Sequence, residues 1–250
     1  MKIGLVSAIL EDYDFKKMID TVSGIGYECV EVACWPKAKA ERRYAGVSHI
    51  DVANLGDKEA EEILSYCKEK NVEISSLAFY PNTMDGNQEK RAANIEHLYK
   101  VIDASKKLGI NLVTTFIGRD QTKTVEENLE LVKKIWIPIV HYAEEKKLMT
   151  TPVIWRKVFD ILDSDYIGIN YDPSHFVWQM IDYIQPLYEF RDKIFHVHYK
   201  DIKLFKEKLK ECGTMAYPLQ YMKPKLPGLG DVDWGKYVSA LTDIGFEGYT

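Results

Sequence analysis

The rhythm of this chain constrains its fold more than any single motif does. Short apolar runs of strand character alternate with longer amphipathic runs of helical period, the pattern of βα units around a parallel sheet. The runs predict strands over 2–6, 28–33, 72–79, 110–117, 166–171 and 194–199. They predict helices over 14–23, 58–70, 89–108, 125–147, 153–162, 183–190 and 234–244. Gly24 and Gly26 read as stopping the first helix, Gly109 as closing the third, and Pro138 as a kink in the fourth. A length of 250 residues suits one (β/α)8 barrel. The expected fold class is therefore α/β, one barrel domain spanning 1–250.

The rhythm lapses after Lys146-Lys147-Leu148, where a fifth strand is due. The chain passes instead through Met149-Thr-Thr-Pro152 into another helical run, and Gly248-Tyr-Thr250 supplies only the first residues of an eighth strand. Either the protein has dropped strand five and most of strand eight, or the molecule carries residues between Leu148 and Met149 and after Thr250 that this sequence lacks. A strand with its loop adds roughly 10 to 25 residues, so the second alternative is favoured.

Composition excludes several classes of function. Hydrophobic residues at 46% and charged residues at 28% describe a chain able to bury a large core. A net charge of −5 argues against a protein that lives on phosphate backbones, so no nucleic-acid partner is expected. No apolar run reaches the roughly 18 residues of a membrane span, and no secretory leader precedes Lys2. Cys29, Cys34, Cys67 and Cys212 form no paired framework, which fits reduced thiols in a cytoplasmic protein.

Two strand ends carry the residue types that bind metals or move protons. They are Ile167-Gly-Ile-Asn-Tyr-Asp172-Pro-Ser-His175 and Ile194-Phe-His196-Val-His198-Tyr-Lys200-Asp201. Side chains alternate along a strand, so Asn170 shares a face with Asp172, and His196 shares one with His198. His196 lies deeper and reads as structural; His198, nearer the strand's end, is the better ligand. Asp172-Pro-Ser can equally be a turn in which the carboxylate caps the next helix. His175 could simply face solvent, and Lys200 with Asp201 could be a surface ion pair. Glu31, at the end of the second strand, needs a partner if it points inward. Tyr80 and Arg119 close the third and fourth strands. Pro227-Gly-Leu-Gly230-Asp-Val-Asp233-Trp234 lacks the spacing of a phosphate loop and reads as a mouth loop that caps the last helix through Asp233. The stretches 34–55 and 203–225 are long enough for lids or an oligomer contact, so a homo-oligomer is a possible assembly. His97 and His141 fall in helical runs of the outer ring.

The chain resembles the xylose isomerase-like TIM-barrel superfamily, the sugar (phosphate) isomerases and epimerases with their inosose dehydratase-like and endonuclease IV-like relatives. The resemblance rests on Gly26-Tyr-Glu-Cys-Val-Glu31, Ala104-Ser-Lys-Lys-Leu-Gly109, Asn170-Tyr-Asp172-Pro-Ser-His175, His196-Val-His198-Tyr-Lys-Asp201 and the loop from Pro227 to Trp234, in that order along nearly the whole chain. It implies one divalent ion, Mn2+, Mg2+, Co2+ or Zn2+, with Asp172 and His198 as two of its ligands. The two glutamate ligands of the family would fall in the missing strands. It also implies proton abstraction beside a carbonyl through an enediolate, on a ketose, keto-polyol or sugar phosphate. His175 and Lys200 would be catalytic groups, and Glu31, Tyr80, Arg119, His175 and Asp201 would contact the carbohydrate. An isomerase or epimerase ranks first. Alternatives are a dehydratase expelling a β-hydroxyl, an endonuclease IV-like phosphodiesterase, which six histidines and an acidic balance disfavour, and a non-catalytic carbohydrate-binding barrel.

Overall fold

The computed structural model describes residues 1–36, 45–143, 152–214 and 220–250. They fall into two compact units, one of residues 2–168 with Tyr249, the other of 169–248 with Met1 and Thr250.

The first unit realises the expected alternation. Its elements are β1 (Gly4–Val6), α1 (Phe15–Ile25), β2 (Cys29–Ala33), α2 (Asp57–Glu69), β3 (Glu73–Phe79), α3 (Gln88–Lys107), β4 (Val113–Thr115), α4 (Val125–Ala143) and α5 (Pro152–Leu162). The strands form one sheet in the order β1-β2-β3-β4, all neighbours parallel, with Leu5 opposite Val30 and Leu77 opposite Val113. Such a sheet is covered on its faces, and β2 is buried at every position. Side chains placed to satisfy the free N–H groups start the helices. Asp14 accepts from the Lys17 N–H at 2.8 Å, and Asn87 from the Lys90 N–H at 3.0 Å. Thr124 and Glu127 form a reciprocal capping box, at 2.8 and 3.2 Å. The buried stripes Met18, Ile19, Val22 and Leu98, Val101, Ile102 join Val30, Val32, Leu77 and Phe79 in one core.

Several boundaries differ from the sequence reading for local reasons. Gly24 does not stop α1, which runs through it to Ile25 and ends at Gly26, whose φ of 94° is the left-handed conformation that glycine adopts freely. The strand expected over 110–117 shortens to Val113–Thr115. The Ile110 N–H bonds back to Ser105, and the Thr83 hydroxyl takes the Ile117 carbonyl at 2.7 Å, so the flanking backbone groups leave the ladder. Pro138 lies inside α4. The place of the expected fifth strand falls on 144–151, outside the described residues, as do Arg42 and Arg43 of the long stretch 34–55, which the sequence suggests as a lid. Tyr249, in the expected start of an eighth strand, forms a parallel bridge with Lys2, and Glu73 accepts from the side chains of both. Three thiols, Cys29, Cys34 and Cys67, are buried in this unit. Loss of solvation pushes those of Cys29 and Cys67 up to about 12, and that of Cys34 higher still.

The second unit holds β5 (Ile169–Tyr171), α6 (Ser174–Val177), α7 (Gln185–Glu189), β6 (Ile194–Val197), β7 (Asp201–Leu204), α8 (Lys206–Cys212), β8 (Met222–Lys225) and α9 (Trp234–Asp243). β5 and β6 pair in parallel, Asn170 opposite His196 and Tyr171 opposite Val197. β7 and β8 form an antiparallel ribbon within the stretch expected to be a loop. Pro224 lies in β8, a position that only an outer strand tolerates. The ribbon packs through Ile202 against Val177 and Val232, with Trp178, Leu204, Met222 and Trp234 around them.

Candidate active site

Asp172 is the first residue after β5 and His198 the first after β6, so the two strand ends present a carboxylate and an imidazole side by side. The His198 N–H bonds the Tyr171 carbonyl at 2.7 Å, continuing the parallel ladder one residue past the strands. Asp172 is 3% exposed. Its two oxygens have separate tasks. Oδ1 accepts from the Ser174 N–H at 2.9 Å and from the Ser174 hydroxyl at 2.6 Å, which fixes the turn into α6. Oδ2 is left facing an imidazole and an ammonium, His175 Nε2 at 3.4 Å and Lys200 Nζ at 3.8 Å. One oxygen thus closes the turn onto Ser174, the first residue of α6, whose N-cap is Pro173, and the other is left facing His175 and Lys200.

The histidines differ as their positions require. His196 is 2% exposed, and its ring meets that of His198 edge to face with centroids 5.5 Å apart. The Asn170 amide nitrogen lies 3.2 Å from His198 Nε2, an orienting contact the sequence reading missed, although Asn170 shares its strand face with Asp172. Burial holds the pKa of His175 below the ordinary range; the Asp172 charge opposes this, and Lys200 and His198 add to it. A neutral His175 beside an anionic Asp172 can accept a proton, and the Lys200 ammonium supplies positive charge on the same side.

Asp201 has a different role from its neighbour. It is fully buried, and no surface pair with Lys200 forms. Its carboxylate accepts from the N–H groups of Ile202, Gly228, Gly230 and Val232 and from the Trp234 indole, at 2.8 to 3.1 Å. The Asp233 side chain caps α9 as expected, accepting from the Lys236 N–H at 3.1 Å.

The other candidates belong to the first unit. Glu31 on β2 is 2% exposed and accepts from three hydroxyls: Tyr80 at 2.7 Å on Oε1, and Ser76 and Thr114 at 3.1 Å each on Oε2. Tyr80 also packs against Phe116 with ring centroids 4.8 Å apart. Arg119 is exposed, its backbone N–H bonded to the Asn82 side chain at 3.0 Å. His49 is buried and fixed between the Ser7 hydroxyl, at 3.1 Å, and the Leu10 carbonyl, at 3.2 Å. His97 on α3 turns toward the sheet, its Nε2 2.8 Å from the Cys34 carbonyl and its ring against Phe79; His141 is exposed. Among the described residues, no helix is long and apolar enough to cross a membrane.

Parallel βα units with acidic and imidazole side chains at successive strand ends define a class of barrel enzymes whose chemistry sits at the C-terminal ends of the strands. Within that class the chain belongs to the xylose isomerase-like TIM barrel family, whose model matches residues 19–250. It is 25% identical over 234 residues to an inosose dehydratase of Clostridium perfringens, covering 84% of this chain and 78% of the relative. The D-psicose 3-epimerase of Clostridium cellulolyticum H10, solved with D-tagatose, superposes with a TM-score of 0.74 at 17% identity, covering 100% of this chain and 83% of that one. An IOLI protein solved with a zinc atom superposes with a TM-score of 0.69 at 16% identity, covering 100% and 87%. These likenesses carry to this chain the fold and an enzyme of sugar-modifying type.

Proposed function

We propose that the protein is a divalent-metal-dependent isomerase or epimerase of a ketose, keto-polyol or sugar phosphate, working by proton abstraction beside a carbonyl. The observation that carries this reading is the division of labour on Asp172. One carboxylate oxygen is locked by Ser174, while the other is presented to His175 and Lys200. Asp172 and His198 fit an ion such as Mn2+, Mg2+, Co2+ or Zn2+ in kind, since a hard carboxylate oxygen and an imidazole nitrogen are donors those ions accept. An ion bound there supplies Lewis acidity for charge developing on a substrate oxygen. The protein's own groups do the rest. Asp172 orients the His175 imidazole, which accepts the proton from the carbon beside the carbonyl. In an isomerase the imidazole returns it to the neighbouring carbon, whereas in an epimerase a second acid delivers a proton to the opposite face of the original carbon. Lys200 stabilises negative charge on the neighbouring oxygen and can donate a proton to it.

A second reading, a dehydratase that expels a β-hydroxyl after the same proton abstraction, is supported by the inosose dehydratase relatives. One experiment separates the two. The protein is incubated with Mn2+ in D2O together with D-tagatose, D-fructose or an inosose, and products are followed by NMR. Deuterium entering beside the carbonyl with appearance of an epimeric or isomeric sugar supports the first reading. An unsaturated ketone formed with loss of water supports the second. No deuterium uptake with any keto sugar or keto-polyol defeats both.

A further inference from the structure

Lys200 immediately precedes β7 and Asp201 opens it, and the two side chains reach different partners. Lys200 reaches Asp172 at 3.8 Å, and Asp201 reaches the loop 228–234. The Asp201 carboxylate gathers four backbone N–H groups and one indole N–H in a fully buried setting. Desolvation, the largest influence on its pKa, pushes it up. The bonds from Trp234, Val232, Ile202 and Gly230 outweigh this, and the net result is a carboxyl held below its usual range. The loop has no slack around the acid. A Cβ on Gly230 would stand 2.1 Å from Asp201 Oδ1. The loop is also tied toward the strand that leads into Asp172. The Asp233 N–H donates to the Tyr183 hydroxyl at 2.8 Å, and the Tyr171 hydroxyl donates to the Tyr183 carbonyl at 2.7 Å. Val232 packs with Ile202 and Val177, the last residue of α6.

We propose that Asp201 is a positioning residue: by binding the loop 228–234, it fixes the backbone at the start of β7, just before which Lys200 reaches toward Asp172. The sequence suggests a substrate contact for Asp201; the geometry gives it an indirect role through Lys200. This inference rests on the reading of Lys200 as a group of the active site.

The test is a double-variant cycle on the full chain with Mn2+, read as solvent-deuterium uptake into D-tagatose or an inosose. It is paired with amide hydrogen exchange at Gly228, Gly230 and Val232. Asp201→Asn keeps the volume but turns an amide NH2 toward donors that need an acceptor. It should speed exchange at those amides and lower kcat about tenfold, with KM moved less. Lys200→Met should lower kcat by a similar or larger factor. Together they should be no slower than Lys200→Met alone, because the anchored group is already gone. Trp234→Phe removes one donor while keeping an aromatic ring, and should show the same non-additivity with a loss of about threefold. It serves if Asp201→Asn does not fold. Losses that multiply in both pairs would overturn the inference and leave the role of Lys200 standing. A Lys200→Met variant with full kcat would instead remove Lys200 from the site, and the inference with it.

Discussion

Glu31 in the first unit and Asp172 in the second are both buried carboxylates on or just past parallel strands, yet they are used in opposite ways. Glu31 accepts hydroxyl bonds on both oxygens from β3, β4 and the residue after β3. Ser76 and Thr114 donate to one oxygen and Tyr80 to the other, and these bonds offset much of the cost of burying the charge. Asp172 has one oxygen bound and the other turned to a histidine and a lysine, both of which can exchange protons. Burial alone therefore does not distinguish the two; what does is an acceptor oxygen left facing an imidazole and an ammonium.

Exchanging the functional oxygen alone tests that contrast most severely. Asp172→Asn keeps Oδ1 for Ser174, so melting should hardly change, whereas deuterium uptake should fall about 1000-fold, with loss of bound Mn2+ in equilibrium dialysis. Glu31→Ala should invert the pattern. Two buried hydroxyls and the half-buried Tyr80 hydroxyl lose their acceptor, which should cost about 3 kcal/mol in urea unfolding. Tyr80→Phe removes one of those bonds and should cost about 1 kcal/mol in the same measurement. The gentlest probe is pH. Because the folded-state pKa of Asp201 lies below its unfolded value of about 4, its stabilising contribution is complete above that value. It fades as the pH falls through the lower folded value, so amide protection in the loop 228–234, taken relative to the intrinsic exchange rate at each pH, should drop below about pH 4 and before that within β2.

Most of the fold was legible because hydrophobic period and caps agree with each other. Asp14, Asn87 and Asp233 each cap the helix that the pattern predicts. The ribbon of β7 and β8 was not, because Met222-Lys-Pro-Lys225 has neither alternation nor β-branched residues. It is held by Asp201 and by Asp231, which accepts from Lys203 and from the Leu204 N–H. At the candidate site, Asp172, His175, His198 and Lys200 were singled out from strand ends; Asp172 faces His175 and Lys200, and the His198 N–H continues the ladder beside it. The role of Asp201 was hidden because four of its five donors are backbone amides, which leave no mark in side-chain pattern. Ser76 and Thr114 were missed for a related reason: a hydroxyl in a strand reads the same whether or not a carboxylate lies opposite.

The buried thiols give the first unit an internal clock. Cys29 and Cys34 lie on and just after β2 and Cys67 on α2, each closed to solvent and protonated at any ordinary pH. A thiol reagent in excess can modify each only when its own element opens, so labelling rates followed site by site by mass spectrometry report how often the sheet and its covering helix part. Cys212, partly accessible on α8, reacts without waiting for any opening and calibrates the unprotected rate within the same molecule.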